Sequence, residues 1–513
     1  MRALECLAVT NKTSRSEFHR APILEEAAMT TDIRSRQRLK SLERHLKKEN
    51  PILLEVVKIF KELDRFAKRT GYLGKDESFA FRVPWWPLIS ILGVYSSGKS
   101  TFVNHFLDYP LQATGNQAVD DRFTVICYTD ENSVRVLPGL ALDGDPRFPL
   151  YRISEAIEDV APGEGSRVDA YLQLKACPSQ KLRGKILIDS PGFDADAQRT
   201  STLRITDNII DLSDLVLVFF DARHPEAGSM QNTLEHLVKG TIFRKDSNKF
   251  MYILNQIDAT AHDDNPEEVV AAWHRSLAQY GLTAGKTYTI FSPSHPFPAE
   301  HEILKERFER KRDSDLDEIH ARIEQVGVER SYRIVGMLEQ TARMLRDEAV
   351  PKISRFIAAW RRLVLIVEGA AAGLLVIVFA LLMFRDAPGW LRGVFPSLGA
   401  IFERPEVSLP VAGVLLILAG YIHFSLRRWA ANRISAKMTA AISEPGLRSR
   451  YQRAFRTNSR WWRSLFNRRP SGWGKKALTR IAEVEDDAKR LIQILNDAYT
   501  NPSGETEESP AND

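Results

Sequence analysis

The sequence predicts an α/β domain with a mainly parallel sheet, joined to an α-helical stalk and a two-helix transmembrane hairpin. Three observations carry this. Between residues 87 and 292, compact apolar runs at 88–92, 185–188, 215–220, 250–254 and 288–291 alternate with helical stretches. That is the sequence form of strands buried on both faces. Amphipathic helical patterns lie before and after this region. Two segments, 363–384 and 407–426, are apolar over about the 20 residues that span a ~30 Å hydrocarbon core.

The elements follow in chain order. The first 28 residues lack the apolar run of about 7–15 residues that a secretory signal needs, so residues 1–34 are expected to be a disordered leader with Met29 an alternative start. Residues 35–75 form an N-terminal helical segment, with Ile52, Val56, Ile59, Phe60, Leu63 and Phe66 at three- and four-residue steps. The α/β domain occupies 80–300 and closes at the Pro-rich breaker 292–298. Stalk helices take 301–362, where Leu316, Ile319, Ile323, Val326, Ile334, Leu338 and Leu345 share a stripe flanked by charge. A matching stripe (Leu478, Ile481, Val484, Leu491, Leu495) closes the 427–500 region, and 501–513 reads as a disordered tail. Each stripe is too polar to stand alone and needs a partner; an ordinary helical subdomain is the plainer alternative to a stalk.

The hairpin comprises spans 363–384 and 407–426 around a non-cytoplasmic loop, 385–406. Glu368 lies near the start of the first span, where a carboxylate can reach the interface. Lys352, Arg355, Arg361 and Arg362 precede the first span, and Arg427, Arg428, Arg433 and Lys437 follow the second. Basic residues stay on the cytoplasmic side, which predicts an integral protein of a bacterial-type inner membrane with both termini cytoplasmic. A one-leaflet hairpin and a pair of apolar core helices are the alternatives. Beyond the hairpin, residues 448–476 carry ten Lys and Arg without an acidic residue, interleaved with Phe455, Trp461, Trp462, Phe466 and Trp473. Such a segment suits anionic lipid. Nucleic acid could use the same charges, but beside a membrane span it is not the expected partner.

Composition narrows the class. The 513 residues are 44% hydrophobic and 27% charged with a net charge of +5, which excludes a disordered chain and a many-span transporter. Cys6, Cys127 and Cys177 have no metal-like or redox-like spacing, and no disulfide framework is expected.

Chemistry enters at Gly93-Val-Tyr95-Ser96-Ser97-Gly98-Lys99-Ser100, a full match to G-x-x-x-x-G-K-[ST] between an apolar run and a helical stretch. The glycines let backbone N–H groups wrap phosphates, and the helical stretch that follows, Thr101 to Leu107, presents its positive N-terminal end. Lys99 is expected to reach the β- and γ-phosphates and Ser100 to ligate Mg²⁺. Asp189-Ser-Pro-Gly192 fits D-x-x-G, with Asp189 holding Mg²⁺ through water and the Gly192 amide sensing the γ-phosphate. Asn255-Gln256-Ile-Asp258 stands where guanine-binding proteins carry N/T-K-x-D. There Asp258 would accept from guanine N1 and N2, a pattern adenine does not offer. Gln256 replaces the usual Lys, and an ordinary strand-end turn is the plain alternative.

These residues resemble the dynamin superfamily, especially its EH-domain-containing branch, over roughly residues 50–300. That branch's loop reads G-Q-Y-S-T-G-K-T-T-F, to which residues 93–102 are similar. Thr114-Gly115 and Asp121-Arg122-Phe123 likewise resemble its G-P-E-P-T-T-D-x-F. The resemblance implies a P-loop G domain that hydrolyses a nucleoside triphosphate with Mg²⁺, self-associates through the G domain and stalk, and remodels, tethers or fuses membranes. It places Ser96 where dynamins stabilise charge on the leaving β–γ oxygen, so Ser96 and Lys99 are the expected catalytic residues. GTP is the expected substrate and ATP the alternative, since the EH-domain branch binds ATP. Two departures matter: Gln256 stands for Lys, and the switch-I Thr should fall near Val119-Asp120, where neither residue is Thr. Thr114 and Thr124 are the nearby substitutes. That departure implies either slow hydrolysis or the use of another group in place of the Thr, and a nucleotide-dependent scaffold with little turnover is the competing reading.

Overall fold

The computed structural model describes residues 35–114, 122–145, 147–148, 158, 163, 165–192, 200–223, 246–263, 266–281, 287–294, 302–383, 405–467 and 469–499. The expected leader and tail, most of the loop 385–406, and Val119 and Asp120 lie outside them. The chain divides into two compact units, one of residues 36–57, 81–337 and 491–513, the other of 1–35, 58–80 and 338–490.

The first unit is built on eight strands: β1 Leu88–Gly93, β2 Phe123–Tyr128, β3 Arg135–Pro138, β4 Leu172–Cys177, β5 Ile186–Asp189, β6 Leu215–Asp221, β7 Phe250–Asn255 and β8 Thr287–Thr289. Their order is β3-β4-β2-β5-β1-β6-β7-β8. The sheet is mixed but mainly parallel: only β2–β5 and β3–β4 run antiparallel among the described pairings. Every residue of β1, β5, β6 and β7 is buried, as runs of Ile, Leu, Val and Phe covered on both faces require. Parallel pairing also gathers the C-terminal ends of β1, β6 and β7 at one edge, where ligands of such sheets bind.

Among the described residues the longer helices are α1 (35–49), α2 Pro51–Thr70, α3 Lys99–Leu107, α4 Thr200–Leu212, α5 Pro266–Gln279, α6 Glu302–Arg343, α7 Val350–Met383, α8 Pro405–Ala441, α9 Pro445–Asn458 and α10 Lys475–Tyr499. The N-terminal helical pattern is thus two helices. Pro51 has no N–H to continue α1 and opens α2 instead, the position where its fixed φ fits. One face of the sheet packs Ile89, Ile91, Phe219 and Met251 against Phe102 and Phe106 of α3 and against Leu316, Ile319, Ile323 and Val326 of α6. The other packs Val216, Val218 and Tyr252 against Trp273 and Leu277 of α5. A buried ion pair also fastens α6 to the sheet. Asp214, just before β6, accepts from the Leu88 amide at 3.0 Å and from Arg330, and its other oxygen meets Arg333 at 2.6 Å.

In the second unit α7 and α8 pack together, and their sequence expectation needs correcting. Among the described residues no helix is long and apolar enough to cross a membrane, so the transmembrane hairpin at 363–384 and 407–426 is not borne out. Both helices also run well beyond their apolar parts, into Arg361 and Arg362 on one side and Arg427 and Arg428 on the other. Glu368 does not reach out toward an interface; it pairs across the helices with His423 at 2.6 Å.

The basic stretch is also partly structural. Arg453 pairs with Glu77 at 2.8 Å, Arg448 donates to the Ile442 carbonyl, and Phe455 and Trp473 are buried. Arg427 donates to the Arg463 carbonyl at 2.6 Å and lies over the Trp360 ring. It thereby pins the 459–467 turn, which leaves Trp461, Trp462 and Phe466 between 62% and 80% exposed.

Candidate nucleotide site

The loop after β1 is shaped by backbone geometry. Ser96 (φ 56°) and Gly98 (φ 82°) are both left-handed; turns of this type converge successive N–H groups on a concavity. Gly98 must be glycine for a second reason: a Cβ there would lie 2.2 Å from Asn255 Nδ2. Side chains from neighbouring strand ends hold the loop carbonyls. Asn255 Nδ2 donates to the Ser97 carbonyl at 2.9 Å, while Gln256 Nε2 and Arg223 donate to the Ser96 carbonyl at 2.7 and 3.2 Å. Arg223 is itself aligned by Asp221, which it meets at 2.7 Å.

Lys99 opens α3 and folds back, donating to the Gly93 and Val94 carbonyls at 3.0 and 2.9 Å. It is buried, and loss of hydration pulls its pKa down from 10.5 to about 8, against the opposing pull of Asp189. A buried ammonium held by carbonyls alone is short of countercharge, so the site favours an anion. Asp189 ends β5, buried, with Oδ2 3.4 Å from Ser100 Oγ and 2.8 Å from Gln112 Nε2. A hydroxyl and a carboxylate so placed make a hard-oxygen set for a cation whose remaining ligands come from phosphate and water. Gly192 packs against the loop: a Cβ there would meet Tyr95 Cα at 2.7 Å.

Two cavities adjoin the loop. The first, about 320 Å³, is lined by residues 95–101, Asp189, Gly192 and Gln256. It brings together most of the residues singled out in the sequence. Thr114 and Thr124, the two candidates for the switch-I Thr, line it too, as do Arg122, Ser190 and Arg223, to which sequence reasoning gave no role. The second, about 170 Å³, is lined by Asn255, Asp258, Ser292 and Pro293, with Gly98, Thr101 and Gln256 shared. Asn255 and Asp258 therefore stand at the second cavity, while Gly93 shapes the loop from below. Gln256 adopts a left-handed φ of 65° and turns to the loop rather than across the second cavity.

Residues 89–257 match the family described as Dynamin family. EH domain-containing protein 1 and EH domain-containing protein 3 of Homo sapiens are each 25% identical over 182 residues, 34% of this chain and 31% of theirs. The chain thus spans about a third of the length of the curated relatives it matches. A solved chain described as "An oligomerised bacterial dynamin pair provides a mechanism for the long range sensing and tethering of membranes" aligns over 92% of this chain and 80% of that one. The identity is 13% and the TM-score 0.33, too low to carry structural inference.

Proposed function

We propose, from the premise that this chain carries a dynamin-family domain at residues 89–257, that it is a membrane-remodelling GTPase. The observation that carries the reading is the buried Lys99 beside Asp189, under a left-handed loop and next to a cavity edged by Asp258. In this reading Lys99 countercharges the β- and γ-phosphates and Ser96 stabilises charge on the leaving oxygen. The N–H groups of the 93–101 loop wrap the phosphates, and the Gly192 amide reads the γ-phosphate. Ser100 and Asp189 hold Mg²⁺, which neutralises phosphate charge when bound. Asn255 and Gln256 brace the loop, and Asp258 selects guanine.

GTP should bind more tightly than ATP, and Asp258→Asn should reduce that preference by about tenfold or more, since an amide keeps one acceptor and adds repulsive donors. Calorimetry with both nucleotides measures this. An unmodified protein that prefers ATP would remove the guanine assignment and leave an ATP-using relative of the EH-domain kind.

A second reading, a nucleotide-dependent scaffold with little turnover, is favoured by one observation. Thr124 lies opposite Asp189 in the β2–β5 register, but its hydroxyl accepts from Gln173 Nε2 at 2.7 Å. Single-turnover measurement separates the two readings.

The membrane part of the reading is docking on a lipid surface. The exposed faces of α7 (Leu374 to Ile377) and α8 (Leu416 to Leu418, Tyr421) support it, with Trp461, Trp462 and Phe466 and the nearby arginines. Tryptophan favours the interface and arginine favours anionic lipid. Replacing Trp461, Trp462 and Phe466 together with Ser should weaken binding to anionic liposomes at least about tenfold, given roughly 1.5–3 kcal/mol for each large apolar side chain buried. Salt should weaken the parent too, because exposed charges are screened over about 8 Å. Liposome flotation at graded anionic content tests this; equal binding by variant and parent at every composition would remove this surface as the lipid contact. Self-association through the G domain and stalk completes the proposal.

A further inference from the structure

We propose that Gln112 is the positioning residue for the Asp189 carboxylate, fixing its direction toward the cation site it forms with Ser100. This rests on the reading of Asp189 and Ser100 as the Mg²⁺ pair. Gln112 is buried, 4% exposed, and both ends of its amide are engaged. Its Nε2 donates to Asp189 Oδ2 at 2.8 Å, and its Oε1 accepts from Lys175 on β4.

The backbone of Gln112 is fixed just as firmly. Its N–H donates to Asn104 Oδ1 at 2.7 Å, its carbonyl accepts from Asn104 Nδ2 at 2.8 Å, and the Leu111 N–H shares the same Oδ1 at 2.9 Å. Asn104 lies on α3, one turn beyond Ser100. One helix therefore sets both partners of the pair: Ser100 directly, and Asp189 through Asn104 and Gln112.

The chemistry suits a metal-facing carboxylate. An amide donor fixes the direction of a carboxylate without cancelling its charge, so Asp189 keeps its attraction for a cation. An Arg or Lys in direct contact would compete with that cation. Lys175 lies one bond further out, where it orients and polarises the amide. Groups that orient a metal ligand in this way typically govern metal affinity by about 10- to 100-fold.

The test separates positioning from packing. The full chain is titrated with Mg²⁺ in the presence of a fluorescent guanosine diphosphate, and nucleotide affinity is measured separately in EDTA. Gln112→Leu keeps the volume and removes the donor. It should raise half-saturating Mg²⁺ about 10- to 100-fold and leave affinity in EDTA at the parent value. Lys175→Met, which leaves Gln112 in place, should shift Mg²⁺ in the same direction by less and serves as the second variant should Gln112→Leu not fold. An unchanged Mg²⁺ midpoint in the folded variant, or an equal loss of affinity with and without Mg²⁺, overturns the proposal. A parent without Mg²⁺ dependence overturns the cation-site reading itself, which is a distinguishable result.

Discussion

Replacing Lys99 with alanine is expected to lower nucleotide affinity at least about 100-fold. Hydrogen bonds to charged groups contribute roughly 1.5–3 kcal/mol each, so two lost phosphate contacts exceed the ~2.8 kcal/mol that a 100-fold change requires. The same side chain gives the effect a pH signature. Burial pulls the Lys99 pKa down to about 8 in the free protein, against 10.5 for an exposed lysine. Between these values the unfolded chain holds more protons than the folded one, so the nucleotide-free protein should gain stability as pH rises from about 8 toward 10.5. At about 1.4 kcal/mol per unit, the gain approaches roughly 3 kcal/mol. Phosphate needs the charged form, so affinity should fall over the same range. Lys99→Ala should show neither slope, and parental affinity in that variant, measured by calorimetry, would sink the phosphate-site assignment.

Asp214→Asn is expected to cost about 3–5 kcal/mol of stability, because removing one partner of a buried pair leaves the other charge uncompensated. Arg330 is buried, and loss of hydration already pulls its pKa down against the pull of Asp214. The Leu88 amide and Arg333 share the same carboxylate, so the damage should reach the start of β1 and the hold of α6 on the sheet. Changing Asp214 to Leu together with Arg330 to Met should recover part of the loss. Urea unfolding measures both, and a single-variant loss under about 1 kcal/mol would show that the pair is not a fastening point.

The sequence disclosed those parts of the fold that one short window can specify. Strands β6 and β7 are apolar runs up to their last residue, and β1 is interrupted before its end only by the small Ser90. All three are buried on both faces, and their C-terminal ends lead into the loops of the site. Strands β2 and β4 escaped notice because Thr124, Gln173 and Lys175 break their apolar pattern, and these polar residues lie buried or half-buried near the site. Strand β3 is exposed along its whole length and has no apolar face to read. The Asn50–Pro51 break was legible in the proline but was overridden by the continuing helical stripe.

In the site, contiguous motifs were readable and long-range partners were not. Lys99 and Ser100 are fixed by spacing within one loop. Gln112 meets Asp189 only because β5 lies beside β1, and Arg223 meets the Ser96 carbonyl only because β6 lies on the other side. Nothing local marks either residue. Apolar length overreached in a different way: segments that looked like membrane spans belong to longer helices joined by the Glu368–His423 pair. A window of hydropathy does not register where a helix ends or what its polar residue meets.

Turnover of GTP and ATP by the purified chain, with and without anionic liposomes, tests the central claim most directly. The account expects Mg²⁺-dependent hydrolysis of GTP in preference to ATP, with a rate that rises on anionic liposomes and falls back as salt increases. No hydrolysis of either nucleotide under any of these conditions would contradict it.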